Sequence, residues 1–75
     1  MDTANDLVMV TRARALSSSG MARSIRIAAG ASLPECARVC GVSISTVWRW
    51  EQAERRPRGE PAIRYARLLE ELARR

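Results

Sequence analysis

Residues 32–57 read SLPECARVCGVSISTVWRWEQAERRP, and the order of caps, breaks and apolar positions in this stretch decides the fold. Ser32 and Glu35 have the spacing of a capping box, in which the serine side chain accepts from the backbone N–H three residues on and the carboxylate reaches back. Pro34 falls in the first turn, where its missing N–H does no harm. The spacing predicts a helix over Leu33–Cys40. Gly41 stops it, because glycine enters the left-handed conformation that closes helices without a Cβ penalty. Val42 is placed to plug the core, and Ser43 to cap a further helix from Ile44.

At ~100° per residue, Val47, Trp50, Glu51 and Glu54 share one side of that further helix, while Ile44, Ser45, Trp48, Arg49 and Gln52 share the other. The two tryptophans must therefore part. Trp50 points home as an apolar anchor against Ala37, Cys40 and Ile25. Trp48 points out, and a large apolar side chain left among arginines marks either a binding surface or a contact with a neighbouring helix end.

Three more helices flank this pair. The first is expected over about Ala4–Leu16, with Thr3 and Asp6 spaced as a capping box, Met9, Ala13 and Leu16 on one face, and SSSG at 17–20 ending it. The second runs over about Gly20–Ala29, with Ala22, Ile25 and Ala29 aligned and Gly30 as its stop. The fifth starts at Pro61 after RRPRGEP, with Ala62, Tyr65, Ala66, Leu69 and Leu72 as its buried stripe and Glu70–Arg74 and Glu71–Arg75 as i, i+4 pairs. No stretch alternates apolar and polar residues as a strand would. One all-α, five-helix domain over residues 1–75 is predicted, with a helix-turn-helix over about 33–54, an additional N-terminal helix over 4–16 and a C-terminal helix over 61–73.

Composition narrows the function. At 75 residues the chain has little room for an enzyme pocket, since a domain this small buries only about 60% of its unfolded surface. It has no histidine, and neither a serine-based triad nor a clustered carboxylate pair can be assembled, so no enzymatic activity is expected. Cys36 and Cys40 lack two further ligands and read as small core residues of a reducing cytosol, with no metal and no cofactor. No run approaches the ~20 apolar residues of a membrane span, and Met1–Leu16 lacks the pattern of a signal peptide, so a cytoplasmic protein without membrane partners is expected. The net charge of +5 points to an anionic partner. That every one of the 13 basic residues is arginine adds little, since arginine codons are GC-rich and fit a high-GC genome equally well. Helix, tight glycine turn, helix is also the geometry that presents a second helix to the DNA major groove, braced by the first.

The quoted stretch resembles the helix-turn-helix of the XRE family, the group of the phage Cro and lambda-type repressors. The resemblance covers about Ile25–Pro57 and rests on Ala37, Gly41, Val47, the pair Trp50–Glu51, and the basic loop with Pro57. SIRIAAGASL at 24–33 resembles the lead-in of actinobacterial members and their phages. The resemblance implies base reading by Ile44, Ser45 and Arg49, with Trp48 and Gln52 on the groove wall. It implies phosphate contacts from Ser43, Thr46, Arg55, Arg56 and Arg58, and a structural ion pair between Arg26 and Glu51. Arg12, Arg23 and Arg38 are weaker phosphate candidates. Three positions depart from the family pattern. Ala53 stands where glycine is usual, so the recognition helix is expected to run on toward Arg55. Leu33 replaces a polar residue that braces a DNA contact, so that contact is lost. Ile27 replaces a charged residue and, with Val39, offers either a partner surface or extra core.

The leading reading is a stand-alone, sequence-specific regulator of transcription that binds double-stranded DNA. It is expected to be a Cro-like phage or prophage repressor in a bacterial cytoplasm, occupying an inverted-repeat operator as a weak homodimer or a dimer formed on DNA. The fifth helix, through Ile63, Leu68 and Leu72, is the favoured dimer surface, ahead of Leu7, Val8 and Val10 in the first. Two alternatives stay open. One is a protein-interaction module, antitoxin-like or a phage adaptor, that reuses the fold; the other is an architectural cofactor of recombination that bends its site.

Overall fold

A computed structural model describes residues 2–75; Met1 lies outside the described residues. Five helices follow in order: α1 (Thr3–Ser18), α2 (Met21–Ala29), α3 (Leu33–Cys40), α4 (Ile44–Glu51) and α5 (Gly59–Ala73). Among the described residues there is no strand, and the expected all-α, five-helix class is the one observed. The last helix is the spine, packed against α1, α2 and α3. Ala13, Ala22, Ala37, Ala62 and Ala66 are buried where the helices meet. Such small side chains let the backbones approach closely, and Trp50, Tyr65 and Leu69 fill the remaining space.

The capping box at Ser32 and Glu35 forms. Glu35 N donates to Ser32 Oγ at 3.2 Å, and Ser32 N donates to Glu35 Oε1 at 2.8 Å. That hydrogen bond from the Ser32 backbone holds the Glu35 carboxyl below its ordinary value. Gly41 closes α3 at φ +73°, with Val42 N bonded to Ala37 O at 3.1 Å and Gly41 N to Arg38 O at 3.3 Å. This is the Schellman pattern, which requires the left-handed residue that glycine supplies. Val42 and Leu33 both pack partly buried against the core.

Several expectations are corrected. The Thr3–Asp6 box does not form: Asp2 caps α1 instead, its carboxylate accepting from Ala4 N and Asn5 N, and Thr3 is already helical. The SSSG stretch does end α1 as expected, at Ser18 with Ser19 as the C-cap, two residues beyond Leu16, and the buried Ser17 hydroxyl in that last turn donates to the Trp50 carbonyl. The fifth helix begins at Gly59 rather than Pro61, which leaves the proline inside the first turn. Glu70 pairs with Arg12 of α1 at 2.7 Å and Glu71 with Arg74 at 3.2 Å, in place of the two i, i+4 pairs. Ile63 is buried, and Leu68 and Leu72 are half-buried, since α5 is covered from several sides. The exposed large apolar residues lie elsewhere, with Leu7 and Val8 on α1 among them.

Candidate nucleic-acid interface

The face that could meet a ligand is built from the two sides of α4. Ser43 caps the helix, accepting from Thr46 N at 3.2 Å, and its hydroxyl also bonds Ser45 Oγ at 3.1 Å and Thr46 Oγ1 at 2.9 Å. Inward lie Val47, Trp50 and Glu51. The Trp50 ring is only 3% exposed and tilts at 37° against Tyr65, with ring centroids 4.6 Å apart.

Among the described residues Glu51 is the one buried acidic side chain. It receives the Arg26 guanidinium as a fork, Nε to Oε2 at 2.5 Å and Nη2 to Oε1 at 3.0 Å. Arg26 Nη1 reaches the Ala31 carbonyl at 3.0 Å, so one side chain ties the end of α4 to α2 and to the turn before α3. The bond to Glu51 raises the Arg26 pKa above its ordinary value. Arg23 adds a looser contact to Glu51 at 4.0 Å. Removing one partner of such a pair would leave the other charge buried and unmatched, which is why its geometry fixes the helix.

Outward, Ile44, Ser45, Trp48, Arg49 and Gln52 are all exposed, Trp48 by 45%. Among the described residues Arg49 has no acidic partner within salt-bridge distance. Its fork of donors faces solvent.

The helix does not run on toward Arg55. It ends at Glu51, and Ala53 takes φ +58°, a left-handed conformation that costs a non-glycine residue about 1–2 kcal/mol. Ala53 N bonds Trp50 O at 3.1 Å and Glu54 N bonds Arg49 O at 2.9 Å, the same pattern that closes α3 at Gly41. Two anchors beyond the helix favour the stop. Ser17 holds the Trp50 carbonyl, and Pro57 is fully buried with its carbonyl accepting from Arg14 Nε at 2.9 Å. The arginines of the loop, Arg55, Arg56 and Arg58, stand exposed around a cleft of about 560 Å³.

Other candidates are placed as follows. Ile27 and Val39 are exposed apolar residues rather than extra core. Arg12 is engaged by Glu70. Cys36 and Cys40 are buried free thiols; burial raises both, Cys40 to about 12, which keeps them protonated at neutral pH. Among the described residues no group of three or more His, Cys, Asp or Glu side chains could hold a metal ion. The Tyr65 hydroxyl is buried without a partner, and desolvation raises its pKa. Arg14 and Ser17 were not legible as parts of this region, because they act across long sequence separations and carry no local motif.

A family model described as a helix-turn-helix domain matches residues 20–74. The chain belongs to this family. The matched residues run from Gly20, which caps α2, into the end of α5, so the helix-turn-helix domain proper is α2–α5 and α1 lies outside it. No curated protein and no solved structure matches the chain. Within the helix-turn-helix domain α3 is the bracing helix, Gly41 the turn and α4 the second helix, the one such domains direct at DNA. Membership supports a DNA-binding, regulatory function. Among the described residues no helix is long and apolar enough to cross a membrane.

Proposed function

We propose that the protein is a sequence-specific regulator of transcription that binds double-stranded DNA, a Cro-like phage or prophage repressor acting by operator occupancy. The observation that carries this reading is the outer face of α4, where Trp48 and Arg49 stand exposed, Arg49 without an acidic partner among the described residues, on a helix locked on its inner side by Trp50 and by the Arg26–Glu51 pair. In this reading Arg49 donates two hydrogen bonds to guanine O6 and N7, worth ~1–3 kcal/mol of discrimination. Ser45 adapts to either donor or acceptor, Ile44 touches a thymine methyl, and Trp48 and Gln52 line the groove wall. Ser43, Thr46, Arg55, Arg56 and Arg58 meet phosphates, giving affinity and register without sequence information.

One α4 contacts few bases, so two copies would bind an inverted repeat with recognition helices about 34–36 Å apart. With Ile63 buried, the exposed Leu7 and Val8 of α1 offer more apolar surface for that contact than α5 does. Selection of bound duplexes from a random pool tests the whole reading. An enriched palindromic site is the expected result, and a pool that stays random under low-salt washing overturns it. Exposed Ile27 and Val39 favour a second reading, a protein-interaction module. A stable heteromeric complex combined with indifference to duplex DNA would select it.

A further inference from the structure

The cleft beside the recognition loop is lined by more than that loop. Arg55, Arg56 and Arg58 line the cleft together with Arg14, which comes from α1, and no aspartate or glutamate lines it. Thr46 and Trp50 contribute its wall from α4. The position of Arg14 is set by its Nε bond to the Pro57 carbonyl at 2.9 Å, and among the described residues no acceptor takes its two terminal nitrogens. Some arginines elsewhere in the domain are matched to carboxylates: Arg12, two positions earlier on the same helix, pairs with Glu70, and Arg26 pairs with Glu51, whereas Arg38, Arg49, Arg67 and Arg75 stand apart from any such pair among the described residues. Gathering four guanidiniums around one cleft without a counter-charge is electrostatically unfavourable, and an anion placed among them reverses that sign. Guanidinium forks match the oxygens of phosphate in particular.

We infer that this cleft is a phosphate site completed by Arg14, so that α1, which lies outside the matched helix-turn-helix residues, supplies a contact to the DNA backbone. The identity of the phosphate as DNA rests on the DNA-binding reading; the chemistry is shared with free phosphate. Arg14 then has two tasks. Its Nε holds the loop through Pro57, and its terminal nitrogens face the anion.

Two measurements test this and separate it from the reading it rests on. The first is duplex affinity against salt for the unmutated protein, Arg14→Gln, Arg14→Lys and the control Arg12→Gln, which removes the same charge from the same helix outside the cleft. Arg14→Gln should flatten log K against log salt by about 0.9, one phosphate contact. Arg14→Lys should recover most of that slope, and Arg12→Gln should keep it. The second needs no substitution: the Arg14 Nε–H resonance should move on titration with inorganic phosphate while that of Arg12 stays.

An unchanged slope in Arg14→Gln overturns the inference while leaving DNA binding intact. Lysine behaving like glutamine also overturns it, because Arg14 would then act only through Pro57. If the protein ignores duplex DNA but phosphate moves Arg14, the phosphate site stands and the DNA-binding reading fails. If it ignores both, both fail.

Discussion

Trp48 and Trp50 stand two positions apart on α4, yet the first is 45% exposed and the second 3%. Every large group on the inner side has a partner: Trp50 has Tyr65, Glu51 has Arg26, and the Trp50 carbonyl has Ser17. On the outer side Ile44, Trp48 and Arg49 are exposed. The difference separates two jobs on one short helix. An eight-residue helix is marginal by itself in water, so its position comes from the inner face, and that fixed position lets the outer groups bind without first being ordered.

The contrast can be broken most severely at Trp50. Trp50→Ala should destabilise the domain by ~3–5 kcal/mol, a large part of the stability of a domain this size, read as a lowered melting temperature or denaturant midpoint. Arg26→Ala comes next, at about 3 kcal/mol, because it leaves the Glu51 carboxylate buried with only the distant Arg23 for a partner. A loss under ~1 kcal/mol in denaturant unfolding would mean the pair does not hold α4. On the outer side Arg49→Ala should leave the melting temperature alone and reduce base discrimination by ~1–3 kcal/mol at a single position of the site, measured with single-base variants of the duplex. Equal losses at every position would make Arg49 a backbone contact.

Ala53→Gly sharpens the comparison between the C-terminal ends of α3 and α4. Gly41 and Ala53 close their helices with the same hydrogen bonds, but only Ala53 carries a Cβ in the left-handed region. The glycine variant should raise stability by about 1 kcal/mol in thermal melts, and a lowered melting temperature would mean the strain is not there. The smallest effect is expected from Trp48→Ala, which should shift folding stability by no more than ~0.5 kcal/mol. Should it rival Trp50→Ala, the assignment of the two faces is reversed.

Features governed by local chemistry are legible in the sequence. The range of α3 follows from Ser32, Glu35, Pro34 and Gly41, which act on neighbours a few residues away. The two faces of α4 follow from helical repeat alone. Sequence reasoning fails where distant groups intervene. Residue type argues against a left-handed Ala53, but Ser17 reaches the Trp50 carbonyl across 33 positions and Arg14 reaches the Pro57 carbonyl across 43. A single stripe on α5 misses Ile63 because three helices cover α5. The Thr3–Asp6 spacing misplaces the start of α1 because Asp2, one residue earlier, offers a carboxylate to the same free N–H groups. The proposed base and phosphate contacts, by contrast, rest only on the family pattern laid over surface residues, Thr46 among them half-buried.

The most direct test of a reading face on the outside of α4 is backbone amide chemical-shift mapping as a duplex carrying the selected site is titrated into the labelled protein. The largest perturbations should fall on residues 43–49 and 52–58, with the exposed surface of Ile27 and Val39 unchanged. Perturbations centred on Ile27 and Val39, or none in α4 at saturating duplex, would contradict it.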